Sequence, residues 1–431
     1  MTNKDDLGLT LSGASAFAAD NYRQAVRAYH LYAGDPLPLL QAACADSPGF
    51  VMGRVLTAYL TLVGSNAQAQ AIGVEAFEAV RETPGTDRER GHVAAVGHLL
   101  CGEVAAAARV LEDVAIEHPR DTLALHMGQI ADFIGGDARM MRDRIGRALP
   151  AWSKDMPHYH AVLGLHAFGL EETGLYDRAE AAGRAAIELE PRNGWARHAV
   201  AHVLEMQDRR AEGVAWLRDD LAAWTQDSFF QVHNWWHLAL FHLGLGETDE
   251  VIALYDGPIW GSQSDLSVDL IDAAAMLWRL HLRGVELGGR WAALADVFER
   301  RGGLGLNAFE DLHAAMAFVG AGREDAAAAV LAAQAGAVAD NAAYVSEVGG
   351  PAIEAICAFG RGDYARAVER LRQVRNRSAR FGGSHAQRDV LDLTLIEAAS
   401  RQGDRSLERA LLAERAAASP LAAGAPRRLA A

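Results

Sequence analysis

The chain has 431 residues, half of them hydrophobic, and its formal net charge at pH 7 is −15. A chain of this length forms either several conventional domains or one long repeat array. The acidic balance argues against a nucleic-acid partner, because a phosphate backbone attracts clustered lysine and arginine, and this chain has only two lysines. Its three cysteines are far apart and form no CxxC pair, which indicates a reducing compartment.

No segment of the sequence has the features of a signal peptide or of a membrane span. The N-terminus lacks an apolar core, and no window reaches about 20 uncharged apolar residues. We therefore predict a cytoplasmic protein with no membrane partner. The sequence does not determine the oligomeric state, and a homodimer is one of the states that it leaves open.

Apolar residues recur with helical spacing along nearly the whole chain, which predicts an all-α fold. Residues 1–13 form a short lead, and helical spacing begins after Ser15. The predicted helical pairs before the centre are 50–64 with 66–82, 87–103 with 104–121, and 121–136 with 137–152. Those after it are 269–284 with 290–303, 306–322 with 325–338, 341–361 with 363–377, and 382–402 with 406–418. Asp121 and Ser384 are predicted N-caps, and residues 418–431 are predicted to be a disordered tail.

The clearest repeats span residues 157–257 and contain three successive helical hairpins. The first matches the tetratricopeptide pattern, in which small and aromatic residues anchor two antiparallel helices over about 34 residues. Its anchor positions are Gly164, Phe168, Tyr176, Ala179, Ala185 and Pro191. Each hairpin has one apolar stripe that it can bury only by stacking on its neighbours. We therefore predict a single tetratricopeptide-like superhelix of helical hairpins, an α-solenoid, over residues 14–417, with the first helices lining a concave side.

Four histidines occupy matching places on the first helices of the second and third central hairpins. His198 and His202 are four residues apart, as are His233 and His237, so each pair shares one helix face. Four converging imidazoles would hold a divalent metal such as zinc. The carboxylates available as ligands or as partners of ligands are Glu171, Glu205 and Asp272. As a ligand site these histidines would line a solvated groove. The alternative is that they pack in the groove and hydrogen-bond to their neighbours.

Two arginines and one turn suggest recognition of an anion. Arg279 and Arg388 lie among apolar or small residues, where each either clamps a carboxylate or phosphate or forms an internal ion pair with Asp272 or Asp389. The string GGSHAQRD enters a helix with Ser384 as its cap, and a helix N-terminus attracts anions. The tryptophans at 195, 235, 236 and 278 either stack on a ligand or fill gaps between hairpins.

Two strings carry a resemblance to a known family. HNWWH, at residues 233–237, and GGSHAQRD, at residues 382–389, together with LWRL at 277–280, resemble the tetratricopeptide repeat protein 38 family over about residues 40–411. The resemblance implies an all-helical repeat superhelix and no particular activity. The positions that match the family motifs are His198, His202, His233, Asn234, Trp236, His237, Asp256, Asp272, Trp278, Arg279, Asp311, His313, Ser384, His385, Gln387 and Arg388.

The function predicted from these features is binding of a small anionic molecule or a peptide segment on the concave inner face. A metal-dependent enzyme and a protein–protein scaffold are the alternatives. An adaptor groove is open, whereas an enzyme site is closed and combines histidine with carboxylates. The candidate ligand-binding residues are His198, His202, His233, Asn234, Trp236, His237, Asp272, Arg279, His313, Ser384, His385, Gln387 and Arg388. The candidate metal ligands are His198, His202, His233 and His237.

Overall fold

A computed structural model describes residues 3–62 and 67–418. In the first part of the chain the helices are α1 (Ala16–Leu31), α2 (Leu37–Asp46), α3 (Val51–Leu62), α4 (Ala67–Glu78), α5 (Asp87–Leu100), α6 (Val104–Glu117), α7 (Thr122–Ile134), α8 (Ala138–Ala148), α9 (Tyr159–Glu171), α10 (Tyr176–Leu189), α11 (Gly194–Met206), α12 (Arg210–Arg218) and α13 (Leu221–Thr225). Those that follow are α14 (Gln231–Leu245), α15 (Thr248–Leu254), α16 (Ser267–Leu282), α17 (Arg290–Arg301), α18 (Ala308–Gly320), α19 (Glu324–Gln334), α20 (Ala339–Tyr344), α21 (Gly350–Gly360), α22 (Tyr364–Val374), α23 (His385–Gln402) and α24 (Arg405–Ala418).

The all-α prediction is confirmed. Over the described residues the only β-type pairings are two isolated bridges, Lys4 with Thr10 and Ala33 with Ser228. No helix in this part of the chain is long and apolar enough to cross a membrane. The predicted tail at 418–431 lies outside the described residues, except for Ala418, the last residue of α24.

Local side-chain chemistry explains where several helices begin. Ser15 caps α1 and Asp121 caps α7, each by accepting a hydrogen bond from a backbone N–H of the first turn. Thr86 and Ser384 form capping boxes with the third residue of α5 and α23 respectively, so that side chain and backbone satisfy each other. The N-caps predicted at Asp121 and Ser384 are therefore confirmed.

The chain divides into two compact units. Unit 1 comprises Met1–Val203 and Asp219–Gln231, and unit 2 comprises Leu204–Arg218 and Val232–Ala431, each over its described residues. The division falls within α11 and α14, so the N-terminal part of α11 belongs to unit 1 and nearly all of α14 to unit 2. The single superhelix predicted over residues 14–417 stays a prediction.

Unit 1 is a series of helical hairpins. The pairs α1/α2, α3/α4, α5/α6, α7/α8 and α9/α10 each pack together, and first helices also contact each other, as α3 with α5 and α7 with α9. The approach of α9 to α11 depends on Gly164, because a Cβ placed there would lie 3.3 Å from the Cβ of Ala196. The N-terminal lead is anchored to this unit: Leu11 is buried, and Arg88 donates to the carbonyl oxygen of Thr10 at 2.6 Å.

Unit 2 repeats the pattern with α16/α17, α18/α19, α21/α22 and α23/α24. Its first helices pack side by side, α16 on α18 and α18 on α21, and α23 returns to pack on α16. The indole of Trp278 donates to the hydroxyl of Thr394 at 2.9 Å and joins α16 to α23. Residues more than 100 positions apart in the chain therefore meet at this contact.

Candidate functional site

In unit 1 the first histidine pair lies on α11, inside the protein. His198 and His202 have exposed fractions of 2% and 0%, and their Nε2 atoms are 2.8 Å apart. Their spacing of four residues places both rings on one face of the helix, as predicted. A separation of 2.8 Å between two ring nitrogens is a hydrogen bond, so one of the two must carry the proton.

Two glutamates from the neighbouring hairpin approach this pair. Glu171 and Glu172, at the C-terminal end of α9, are both buried, and Oε2 of Glu171 is 3.7 Å from Nδ1 of His202. Leu170 and Val203, the residues next to Glu171 and His202 in the chain, pack in one small apolar cluster that holds the two helix ends together. Glu171 is one of the three carboxylates predicted from the sequence, and it lies near His202 within this unit.

Aromatic side chains line the same part of unit 1. Trp195 contacts His198, with ring centroids 4.9 Å apart, and stacks on Tyr32 at 5.5 Å with nearly parallel planes. Phe168 and Phe230 cover the other sides of His198, at 5.4 and 5.2 Å. The rings separate the histidine pair from water, so any ion or ligand held there would be enclosed.

Unit 1 also contains a second histidine cluster, which the sequence analysis missed. It is formed by His30 of α1, His126 of α7 and His158 just before α9, with the ring of His30 5.6 Å from that of His126 and 5.1 Å from that of His158. Tyr32 is hydrogen-bonded to Nε2 of His126 at 2.7 Å. Burial lowers the pKa of His126 to about 3 and that of the nearby His160 to about 4. No spacing rule relates these residues, because they come from three separate parts of the chain.

In unit 2 the second histidine pair lies on α14 beside a carboxylate. Nδ1 of His233 is 2.8 Å from Oδ2 of Asp272, a side chain of α16 that is 1% exposed. His237 and Trp236 are fully buried, and the ring of Trp236 stacks on that of His233 with centroids 5.4 Å apart. The predicted proximity of His233 and Asp272 is therefore observed within this unit. Convergence of all four histidines on one point stays a prediction.

Arg279 is the most enclosed cation among the candidates of unit 2. It lies on α16, is 3% exposed, and its guanidinium is 5.3 Å from the centroid of the Trp236 ring. It donates to the backbone carbonyl oxygens of Ala275 at 3.1 Å, Ala386 at 2.6 Å and Gln387 at 3.4 Å. None of the described carboxylates is within ion-pair distance, so the internal ion pair considered for Arg279 is not formed.

The turn GGSHAQRD is shaped by its glycines and caps. Gly383 has a φ of +79°, and a Cβ placed there would lie 2.4 Å from the ring of Phe309, so a side chain is excluded on both counts. Ser384 and Gln387 form the capping box of α23. The hydroxyl of Ser384 accepts from the backbone N–H of Gln387 at 3.3 Å, and Oε1 of Gln387 accepts from the backbone N–H of Ser384 at 3.0 Å. Arg388 donates to the carbonyl oxygen of Gly383. These side chains build the turn that Arg279 contacts.

Three further candidates have defined surroundings. His313 of α18 is fully buried, is hydrogen-bonded through Nδ1 to the carbonyl oxygen of Phe309 at 2.8 Å, and has its pKa lowered to about 4 by burial. Asp311 accepts from the backbone of Gly305 and from Gln334 at 3.0 Å, which ties a loop to α19. Asp256 instead pairs with Arg290 near the surface at 2.7 Å, away from the buried candidates.

The expectation of a solvated groove is wrong for most of these side chains. The candidate residues that are buried are His198, His202, His233, Asn234, Trp236, His237, Asp272, Arg279, His313 and Ser384, whereas His385, Gln387 and Arg388 are half-buried. The reason is packing: first helices lie against each other, and in unit 2 α23 covers α16. Burial also raises the pKa of Asp272 above its ordinary range, and that of Asp269 to about 6.

The fold and these sites define a class, an all-α protein of stacked helical hairpins with buried histidine, carboxylate and arginine clusters. No family model matches the chain, so the resemblance to the tetratricopeptide repeat protein 38 family stays a prediction. Similar solved structures include the APC/C hetero-tetramer Cut9–Hcn1, at 10% identity, over 88% of this chain and 76% of that one, with a TM-score of 0.40. Another is the human IFIT1 dimer with m7Gppp-AAAA, at 14% identity, over 96% of both chains, with a TM-score of 0.45. With sequence identities and TM-scores this low, neither similar structure supports a statement about the ligand or partner of this protein.

Proposed function

We propose that this protein binds a small anionic molecule in unit 2, with the guanidinium of Arg279 as the charged anchor. The proposal rests on the hydrogen-bond acceptors that surround this buried guanidinium. All three of its hydrogen bonds go to backbone carbonyl oxygens, and no described carboxylate pairs with it. A bound anion would supply the missing negative charge.

The charge of Arg279 persists despite burial. Burial lowers the pKa of its guanidinium to about 10, so the group is still protonated at neutral pH. A buried cation without a paired anion costs several kcal/mol. Asp389 and Glu205 act on it only at longer range, and Asp389 is already engaged by Arg415 at 2.8 Å. The positive end of α23 lies on the same side, because Arg279 contacts its first turn, and this adds to the demand for an anion.

The hydrogen-bonding capacity of the site suits a carboxylate or a phosphate. A guanidinium has five N–H donors in a planar fork, and three bonds to carbonyl oxygens leave two donors for a ligand. Nε1 of Trp236 and Nε2 of His313 are buried and have no hydrogen-bond partner among residues 3–62 and 67–418. Trp236 would donate and His313, protonated on Nδ1, would accept, so an anion that also carries a hydroxyl group matches both.

Burial favours a small molecule over a peptide segment. Arg279 is 3% exposed, and Trp236 and His313 are fully buried. An extended peptide needs an open groove along several helices, whereas an enclosed guanidinium reaches only a ligand that enters the interior. Of the two ligand classes predicted from the sequence, our proposal therefore keeps the small anionic molecule and drops the peptide segment.

Thermal unfolding of the full-length protein tests this proposal. Inorganic phosphate, succinate and citrate are each titrated in the millimolar range against sodium chloride at equal ionic strength. We expect at least one of them to raise the melting temperature in a saturable way, because a ligand that binds only the folded state stabilises it by mass action. Arg279→Met should remove this rise.

The matched control is Arg283→Met. Arg283 is the C-cap of the same helix and donates to the carbonyl oxygen of Leu243 at 2.7 Å, whereas Arg279 donates to Ala386 and Gln387 in the first turn of α23. The control should keep the ligand-dependent rise even if its own melting temperature falls. An equal response of the wild-type protein and Arg279→Met to every anion tested would reject the proposal.

An enzyme is the second candidate, favoured by the hydrogen bond of 2.8 Å between His233 and Asp272. An imidazole oriented by a buried carboxylate is suited to general acid–base chemistry. Incubation of the protein with a metabolite extract, followed by mass spectrometry, tests this. Consumption of an anionic metabolite by the wild-type protein but not by Asp272→Asn is the expected result for an enzyme, and its absence would leave the binding function alone.

We also propose three further properties that were predicted from the sequence. They are membership of the tetratricopeptide repeat protein 38 family, a cytoplasmic location, and partners that include neither nucleic acid nor membrane. The strings HNWWH and GGSHAQRD support the first, and the charge of −15 supports the exclusion of nucleic acid.

A further inference from the structure

Two consecutive glutamates end α9 in the interior of unit 1. Glu171 is the last residue of the helix and Glu172 is its C-cap, and their exposed fractions are 0% and 6%. The helix dipole is negative at this end, so the helix that carries these carboxylates does not stabilise their charge. Carboxylate oxygens are ligands for divalent cations, and two carboxylates end this helix side by side.

The imidazole of His202 lies beside both carboxylates. Glu171, Glu172 and His202 each offer one ligand atom, and these three atoms all lie within 4.8 Å of one another. The distance of 3.7 Å between Nδ1 of His202 and Oε2 of Glu171 is longer than a hydrogen bond. The donors are therefore close enough to converge on one ion after small side-chain movements.

His198 influences which nitrogen of His202 can bind a metal. A proton lies between the two Nε2 atoms, which are 2.8 Å apart. When His202 donates this proton, its Nδ1 carries the lone pair on the side of Glu171. Histidines that bind metals commonly donate the other ring N–H to a neighbouring acceptor, which fixes the tautomer and the orientation of the ring.

We propose that Glu171, Glu172 and Nδ1 of His202 bind one divalent cation, and that His198 is a positioning residue that accepts the Nε2–H of His202. The proposal uses no residue of unit 2 and does not depend on an anion at Arg279. It revises the prediction from the sequence, in which His198 and His202 were equivalent ligands.

The donor set selects the class of ion. Two carboxylates and one imidazole suit the borderline ions Zn²⁺ and Fe²⁺ and the harder ion Mn²⁺. The set contains no sulfur for a soft ion such as Cu⁺, and its nitrogen disfavours Ca²⁺ and Mg²⁺, which take oxygen ligands. Because the donors are buried and occur together only in the folded unit, binding should raise the melting temperature.

Metal titration of the full-length protein tests the proposal. The protein is stripped with EDTA, dialysed and loaded with Zn²⁺ or Mn²⁺, or with Fe²⁺ under anaerobic conditions, and metal per chain is measured after gel filtration. Glu171→Gln/Glu172→Gln and His202→Gln should each lower the bound metal by one ion per chain. His198→Gln should keep that ion with an affinity lowered about 10- to 100-fold, the effect typical of removing an orienting partner.

His166→Gln is the matched control, because His166 lies on α9 with Glu171, is 8% exposed and is not one of the proposed ligands. Its metal content should equal that of the wild-type protein. Absence of any bound ion in the wild-type protein, or an unchanged ion count in the Glu171→Gln/Glu172→Gln variant, would overturn the proposal.

X-ray absorption of the zinc-loaded wild-type protein gives a result that does not depend on the folding of variants. At one equivalent of zinc, a first shell with one imidazole nitrogen and the remaining ligands oxygen supports the site. A first shell with two or more imidazoles contradicts it, because the ion would then be held by histidine pairs and not by the two glutamates.

Discussion

Two buried arginines, one in each unit, occupy different chemical environments. Arg144 in unit 1 is 1% exposed and binds both carboxylate oxygens of Asp132, at 2.8 and 2.9 Å. Arg279 in unit 2 is 3% exposed and meets only backbone carbonyl oxygens. The first charge is neutralised within the protein, whereas no described carboxylate is paired with the second.

The difference shows that burial alone does not identify a functional arginine. A bidentate carboxylate partner satisfies both the charge and the geometry of a guanidinium, so Arg144 is explained by the fold of unit 1. Carbonyl oxygens satisfy N–H groups but contribute no net negative charge. Arg279 therefore supports a binding proposal that Arg144, equally buried, does not.

The largest expected effect comes from removing each arginine in turn. Arg144→Met leaves Asp132 buried without its partner and should cost about 3–5 kcal/mol in the free energy of unfolding. Arg279→Met loses bonds to carbonyl oxygens but leaves no carboxylate unpaired and removes the cost of a buried charge. We therefore expect a smaller net cost of about 1–3 kcal/mol. Urea unfolding followed by circular dichroism measures both values. A cost for Arg279→Met equal to or above that of Arg144→Met would remove the contrast between the two units.

The second largest expected effect is a difference between the two units in how their stability depends on pH. In unit 1 burial lowers the pKa of His126 to about 3 and of His160 to about 4, and it also lowers those of His30 and His158. The unfolded chain, with an ordinary histidine pKa near 6.5, then takes up more protons than the folded protein below that pH. The stability from these groups is complete above about pH 6.5 and is lost as the pH falls towards about 3, the folded pKa of His126.

Repulsion within the histidine cluster should make unit 1 the more acid-sensitive. Protonated His30 would face His126, His158 and His160, while Asp6 lies 3.8 Å from His158 and offsets part of the repulsion. Unit 2 has the buried His313, with its pKa near 4. Peptide-resolved hydrogen exchange at pH 7 and pH 4.5 compares the two. Equal loss of protection in the peptides of α7 and α18 would contradict this ordering.

The smallest effects concern two matched capping boxes, Thr86 with Glu89 in unit 1 and Ser384 with Gln387 in unit 2. Thr86→Ala and Ser384→Ala should each cost about 1 kcal/mol, the usual value for loss of an N-cap. Only Ser384→Ala should also weaken the response to anions, because it loosens the turn that Arg279 contacts. Melting curves with and without the anion measure this response in both variants. An equally weakened response in Thr86→Ala would show that the effect of capping is not specific to the site.

Much of the fold could be predicted from local sequence. The spacing of apolar residues predicted helices on both sides of the centre, and Asp121 and Ser384 were predicted as caps and observed as caps. These features depend on residues three or four positions apart, whose geometry the helix itself imposes. The pairing of His198 with His202 could be predicted for the same reason, because the two residues are four positions apart on one helix.

Only the tertiary structure brought Glu171 to His202, Arg279 to the carbonyl oxygen of Ala386, and His30 to His126. These partners are separated by 31, 107 and 96 positions, so their contact depends on which helix faces pack together. The tertiary structure also buries the candidate histidines other than His385, which is half-buried. Helical periodicity determines which side chains share a face, but the neighbour that covers this face is set by the stacking of hairpins distant in sequence.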